Sequence, residues 1–433
     1  MNYHKSLLSK IYNKKAKVAI IGLGYVGIPL SKFLSNLGFQ IIGIDNDIKK
    51  INALKKSKSY ISNISNKEIK NIQFFELSNE YSVIKNADII VFCLPTPITK
   101  NKSPDLSFIK YAINGLKKYI KPGQAFSLES TSYPGTTEDL FIPLMKELIL
   151  KPGKDCFIIY SPEREDPGNL EYSLKNTVKV FSGLTQNCQK IASAFYGVGI
   201  NKTHKVSNIK TAEMTKLLEN IFRSVNISMI NELKIICDQM DINIKEVIDA
   251  AKTKPFGYMP FYPGPGIGGH CIPVDPFYLS WKAKEFGLNT KFIELSAELN
   301  EFMPEYVFMR IIKTLNSKKI SIRGSKIVVL GVSYKKNIGD LRESPSLKII
   351  KKLIEHKALV YFNDPFFKTI PKTRNFNHSI LNMDIDSKNL KKVDMVFLAT
   401  DHDSFDYELI AKSAKLIIDS RHKFKKTKNV YYT

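Results

Sequence analysis

The chain has 433 residues, 43% of them hydrophobic and 11% aromatic, enough for two or three domains with cores of their own; this composition excludes a disordered chain. Its formal net charge of +24 suits an anionic partner, but the lysines are spread along the whole sequence. KKSK and HKFKKTKNV are the densest runs and carry no regular aromatic interleaving, so no nucleic-acid partner is expected. No apolar run approaches the ~18 residues of a membrane helix and the N-terminus shows no long apolar leader core, so no membrane partner and a cytoplasmic location are expected.

Residues 17–45, KVAIIGLGYVGIPLSKFLSNLGFQIIGID, read as strand, glycine turn, amphipathic helix and second strand. Gly22, Gly24 and Gly27 fit GxGxxG, and Asp45 ends the second strand, where a dinucleotide-binding βαβ unit places its ribose-binding acid. The glycines would supply the tight turn, the close backbone approach to a pyrophosphate and the packing of helix on sheet, and the helix N-terminus would face the phosphates. An acid at 45 favours NAD over NADP because it repels a 2′-phosphate. The bland alternative is a glycine turn without a ligand.

Further strands are expected at ADIIVFCLPTP (87–97), QAFSLEST (124–131) and DCFIIYSPE (155–163), each ending in a polar or proline-containing loop. In a doubly wound sheet such loops line the crevice at the carboxyl edge, so Thr96, Thr131 and Glu163 are expected to face one site. From 206 to 250 the period turns helical, without Gly or Pro over SNIKTAEMTKLLENIFRSVNISMINELKIICDQM. Lys216 and Asn220, four residues apart, share a face of that helix, either as a functional pair or as a solvated one. From 326 the pattern strand, loop, helix, strand returns without GxGxxG; its first loop carries Lys335, Asp340, Arg342 and Ser344, suited to an anion but not to a dinucleotide. The fold class expected is α/β: two Rossmann-like doubly wound domains joined by a long central helix.

The five cysteines are widely spaced, odd in number and form no CxxC or Cys/His cluster, which argues against disulfides and against a metal site. Cys93, Cys156, Cys188 and Cys237 sit in apolar or helical contexts and read as small buried hydrophobes. Cys271 lies in GPGIGGHCIPVDP (264–276), behind a run of glycines that would let backbone come close to a ligand.

GLGYVGIP, PTP, STSYPGTT, SPER, AEMTKLLENIFRSVNISMINE, GGHCIPVDP and GVSYKKNIGDLRESP occur in one order along nearly the whole chain, and in this the sequence resembles the UDP-glucose/GDP-mannose dehydrogenase family. The resemblance implies oxidation of a nucleotide-sugar C6 alcohol to a carboxylate with two NAD and no release of the aldehyde. It implies that Cys271 forms a thiohemiacetal and then a thioester, that Lys216 with Asn220 stabilises the oxyanions, that Asp275 takes part in proton transfer, and that Thr131 and Glu163 order water. It further implies cofactor contacts from Gly22, Gly24, Tyr25, Val26, Gly27, Asp45, Thr96 and Thr131. Substrate contacts are implied for Glu163, Arg164, Lys216, Asn220, Tyr262, Gly264, Gly268, His270, Lys335 and Arg342. The expected domains are an NAD-binding domain at 1–205, a central helical dimerisation domain with the cysteine loop at 206–310 and a UDP-sugar-binding domain at 311–433, assembled as a homodimer or larger homo-oligomer.

Where the UDP-glucose branch reads GGSCFPKD, this chain has His270 and Val274, and YSPEREDPGN with MPFYPGPGIGGHCIPVDPFYLSWKAKE looks like the branch acting on UDP-N-acetylhexosamines, UDP-N-acetyl-D-glucosamine first. UDP-N-acetylmannosamine, UDP-N-acetylgalactosamine and UDP-glucose stay open as substrates. A two-electron hydroxy-acid dehydrogenase or a non-catalytic NAD or nucleotide-sugar binder stays open as a more remote alternative.

Overall fold

The computed structural model describes residues 2–61, 64–164, 174–373 and 376–433. The chain divides into two compact units, Met1–Glu219 with Phe277–Asn289, and Asn220–Pro276 with Thr290–Thr433.

The first unit holds an eight-stranded sheet: β1 (Lys17–Ile21), β2 (Gln40–Ile44), β3 (Phe74–Ser78), β4 (Ile89–Phe92), β5 (Ala125–Leu128), β6 (Phe157–Tyr160), β7 (Lys179–Gly183) and β8 (Thr203–Lys205). Their order is β3-β2-β1-β4-β5-β6-β7-β8, parallel except where β7 meets β6. β4, β5 and β6 are buried along their whole length, so every residue of IIVF, AFSL and FIIY is apolar or small. A parallel sheet covered on both faces demands such continuous runs rather than alternation.

The second unit holds a six-stranded parallel sheet: β9 (Lys326–Leu330), β10 (Leu359–Asn363), β11 (Leu381–Asn382), β12 (Met395–Leu398), β13 (Ile417–Asp419) and β14 (Val430–Tyr432), in the order β11-β10-β9-β12-β13-β14. The first six strands of the other sheet follow the same 3-2-1-4-5-6 order of a doubly wound dinucleotide fold. Ile327 and Val329 of β9 point to one face, against Val307, Ile311 and Leu315 of the helix Lys291–Ser317; Val328 and Leu330 point to the other, with Leu390, Phe405 and Ile410. The two-residue strand period thus splits one strand between two cores. Between the two sheets in chain order runs a 31-residue helix, Ile209–Gln239.

The two sheets repeat one backbone device. Gly22 (φ +94°) donates its N–H to Ile44 O at 2.8 Å and Leu23 N–H donates to Asp45 Oδ2 at 2.9 Å. Gly331 (φ +80°) donates to Asn363 O at 2.9 Å and Val332 N–H to Asp364 Oδ2 at 2.8 Å. A Cβ on Gly22 or Gly331 would collide with the Cys93 or the Thr400 carbonyl, so both turns require glycine for space as well as for φ.

Candidate functional site

In the first unit the turn after β1 opens into the helix Gly27–Asn36, with Val26 at its N-cap and Tyr25 in the preceding turn. Gly24 has no atom within 4 Å of where a Cβ would stand, whereas a Cβ on Gly27 would strike the Gly22 carbonyl. The space beside Gly24 and the helix N-terminus fit the diphosphate of a dinucleotide, which backbone N–H groups bind. Asp45, 6% exposed, receives Leu23 N–H, Asp47 N–H at 3.0 Å and the Lys50 ammonium at 3.0 Å. Of these only the Lys50 side chain, a third exposed, is free to swing aside for ribose hydroxyls. The matching acid of the second sheet is closed to ribose. Asp364 also accepts from Ser333 N–H and Oγ at 3.1 Å and Phe366 N–H at 2.9 Å, and His402 Nε2 lies 3.2 Å away.

The loops after β4 and β5 are bonded to each other. Thr96 Oγ1 donates to Thr131 O at 2.7 Å and Ser130 Oγ to Leu94 O at 2.7 Å, so Thr96 and Thr131 are brought together. Glu163, in the loop after β6, is joined to the same edge through Lys179, whose Nζ lies 2.6 Å from Glu129 Oε2 and 3.7 Å from Glu163 Oε2. Arg164 pairs with Glu219 at 2.6 Å. The remainder of the SPEREDPGN motif, residues 165–169, lies outside the described residues.

Glu213, Lys216 and Glu219 recur every three residues on the 31-residue helix and so share a face. Glu213 accepts from Gly135 N–H, from Thr137 N–H at 2.9 Å and from Thr137 Oγ1 at 2.7 Å. Lys216, half-buried, therefore stands between two tethers, one to the loop that follows Thr131 and one to Arg164 beside Glu163. Burial pushes the Glu213 carboxyl up to about 7. An acid raised on folding favours the folded state most fully below its unfolded value near 4.5, and that contribution fades as pH climbs to about 7. Thermal melts of wild type and Glu213→Gln should show wild type losing stability relative to the variant over this window, by up to about 3 kcal/mol. A constant difference would show that Glu213 does not titrate there.

In the second unit Asp275 begins the helix Asp275–Lys284. Its N–H donates to Cys271 O at 2.8 Å and its carboxylate, 4% exposed, accepts from Asn220 Nδ2 at 2.6 Å. Cys271 is the one exposed cysteine; Cys156 and Cys188 are buried, Cys93 and Cys237 half-buried. Burial pushes the Cys93 thiol well up and the Cys156 thiol to about 12.

Gly268 and Gly269, before Cys271, are packed closely against other parts of the protein. A Cβ on Gly268 would strike Tyr334 Cβ and come within 3.0 Å of Glu343 O, and Gly269 (φ +89°) donates to Arg342 O at 2.9 Å. The cysteine loop is therefore seated on the first loop of the second sheet, the one carrying Lys335, Asp340 and Arg342. His270 is half-buried there, and burial and then Arg342 lower its pKa. Lys335 is half-buried; Arg342 binds Asp340 through Nε at 2.9 Å and Nη2 at 2.6 Å, with 41% of its side chain exposed. Tyr262 is exposed and donates its hydroxyl to Asp249 at 2.8 Å, which leaves the ring and the hydroxyl's acceptor lone pairs for a substrate contact.

Sequence reasoning missed Arg421. Its Nε donates to Ala399 O at 2.8 Å, and Nη1 would lie 2.7 Å from a Cβ on Gly264, so the guanidinium faces the start of the cysteine loop. Its place at the end of β13, the carboxyl edge of a doubly wound sheet, was the available signal. Among the described residues no group of three His, Cys, Asp or Glu could hold a metal ion, and no helix is long and apolar enough to cross a membrane.

Comparison with known proteins matches three models of one family. Residues 16–198 match its NAD binding domain, 210–302 its central domain and 328–426 its UDP binding domain. Protein CapL of Staphylococcus aureus is 36% identical over 410 residues, 93% of this chain and 95% of that protein. UDP-N-acetyl-D-glucosamine 6-dehydrogenase of Pseudomonas aeruginosa is 35% identical over 355 residues, 82% and 83% of the two chains. A solved UDP-D-ManNAc dehydrogenase of Pyrococcus horikoshii superposes with a TM-score of 0.86 at 28% identity, covering 96% of this chain and 98% of that one. The chain thus belongs to the UDP-glucose/GDP-mannose dehydrogenase family and is an NAD-dependent oxidoreductase of nucleotide sugars.

Proposed function

We propose that this protein oxidises the C6 alcohol of a UDP-N-acetylhexosamine to the carboxylate, through a sulfur adduct on Cys271, to supply a uronic acid for surface polysaccharide. The observation that carries the proposal is Cys271 itself, an exposed thiol one turn ahead of a helix whose first residue, Asp275, is held by Asn220. NAD, held at the glycine turn by Gly22, Gly24, Tyr25, Val26, Gly27 and Asp45 beside Thr96 and Thr131, would supply the hydride acceptor needed once for the alcohol and once for the sulfur adduct.

The chain's own groups do the rest. Lys216 supplies positive charge to the alkoxide of the first step and to the oxyanion of the second, as a fixed cation does most effectively where water is excluded. The Cys271 thiolate adds to the aldehyde carbon, which otherwise has no hydride placed to leave. Asp275 receives and returns protons, kept in register by Asn220. Thr131 and Glu163 order the water that cleaves the thioester. Lys335, Arg342 and Arg421 hold the diphosphate, with the guanidinium groups suited to paired hydrogen bonds; Tyr262, Gly264, Gly268 and His270 meet the sugar and its 2-acetamido group.

The exposed residues Leu218, Phe222, Met229, Leu233, Ile236 and Met240 recur at spacings of four, seven, four, three and four on the 31-residue helix and just beyond it. This heptad-like apolar stripe supports a homodimer formed with a second copy of the chain.

UDP-N-acetyl-D-glucosamine is the first substrate to test; UDP-N-acetylmannosamine is the second reading, favoured by the Pyrococcus structure. Purified protein assayed with these two sugars, UDP-N-acetylgalactosamine and UDP-glucose should form about two NADH per N-acetylhexosamine consumed. One NADH per sugar, or turnover of UDP-glucose alone, would overturn the proposal.

A further inference from the structure

Lys179, on β7, is 4% exposed, and its ammonium is enclosed by two carboxylates and a carbonyl: Glu129 Oε2 at 2.6 Å, Pro162 O at 3.2 Å and Glu163 Oε2 at 3.7 Å. Glu129, 2% exposed, also receives the Tyr196 hydroxyl at 2.6 Å, and Tyr196 shares a 2.7 Å hydrogen bond with Ser127. A cation buried this completely is costly unless fully paired. Burial opposes its charge, but Glu129 and Glu163 outweigh that and hold Lys179 protonated. Burial pushes the Glu129 carboxyl up, with Lys179 pulling the other way. The dehydrogenase chemistry assigns Lys179 no role, yet the ammonium links the β5 edge, two residues before Thr131, to the loop that carries Glu163.

We infer that Lys179 is a positioning residue for the reaction: the buried chain Ser127–Tyr196–Glu129–Lys179 anchors an ammonium that orients the Glu163 carboxylate to order the attacking water. This rests on the reading of Glu163 as the water-ordering group of a UDP-sugar dehydrogenase. Glu129, bonded through one oxygen to Tyr196 and through the other to Lys179, pins the ammonium, which in turn approaches Glu163 at 3.7 Å. Among the described residues, Glu163 is faced by Lys179 from β7, Glu129 from the end of β5, Cys93 after β4, and its neighbour Arg164, whose N–H donates to Glu163 at 2.6 Å and whose guanidinium is taken by Glu219. Of the two cations in this set, Lys179 is the buried one.

The test measures NADH formation with whichever of UDP-N-acetylglucosamine and UDP-N-acetylmannosamine the wild type turns over. Lys179→Met should lower kcat about tenfold or more and leave both KM values within about threefold. Lys179→Arg should recover most of the rate. In a Glu163→Gln background Lys179→Met should cost less than about threefold more. An equal loss with and without the Glu163 carboxylate would overturn the inference by reducing Lys179 to a packing residue. Should Lys179→Met not fold, Glu129→Gln, which loosens the ammonium, should likewise lower kcat with both KM values within about threefold and cost less than about threefold more in the Glu163→Gln background; an equal loss in both backgrounds counts against it. A wild type that forms no NADH from either sugar overturns the dehydrogenase reading itself, and a normal wild type with an unaffected Glu163→Gln removes Glu163, and Lys179 with it.

Discussion

Cys271→Ser is expected to form at most one NADH per active site and then stop, with steady-state turnover reduced by about 10³-fold or more. The side chain is exposed, so exchanging sulfur for oxygen leaves the fold intact and isolates the chemistry. The first oxidation needs no nucleophile and should survive as a burst. The second cannot follow at a useful rate, because a serine hydroxyl, far above neutral pH in acidity, seldom presents an anion to the aldehyde. Stopped-flow absorbance of NADH with enzyme in excess separates the two steps. Two NADH formed at near wild-type rate would remove Cys271 from the mechanism.

Lys216→Met should lower kcat by about 10³-fold with little change in either KM, since the ammonium is assigned to charge that develops only during reaction. The helix should keep its place, because Glu213 still holds Gly135 and Thr137 and Glu219 still holds Arg164 on either side of position 216. The melting temperature should therefore move by no more than a few degrees, and steady-state kinetics beside a thermal melt distinguish lost chemistry from lost structure. A large loss of stability, or a rise in KM with kcat unchanged, would assign Lys216 to structure or to uniform binding instead.

Much of this was legible in the residues. The period-two and fully apolar runs located β1, β4, β5, β6 and β9 because a strand buried on both faces leaves no room for polar side chains. The 31-residue helix was legible from a long stretch free of Gly and Pro. The 27-residue helix Lys291–Ser317 was not, since Pro304 lies in its interior, where proline ordinarily breaks the pattern. Gly268 and Gly269 showed that backbone must approach something closely, but sequence could not say that the neighbours are Tyr334 and the 342–343 backbone. Lys179 and Glu129 were hidden for a related reason. Nothing in KVFSG or QAFSLEST marks Lys179 and Glu129 as partners; only the antiparallel addition of β7 beside β6 encloses them as a pair. Arg421 likewise gains its meaning from Gly264, over 150 positions away in the chain.

The most direct test is acid quenching of the wild-type enzyme during turnover of a UDP-N-acetylhexosamine with NAD, followed by digestion and mass spectrometry of the peptide containing Cys271. A hydroxylamine-sensitive acyl adduct on Cys271, adding the mass of the UDP-linked N-acetylhexosaminuronic acid less one water, is the expected result. An unmodified Cys271 peptide under conditions that yield two NADH per sugar, or the adduct on another residue, would contradict it.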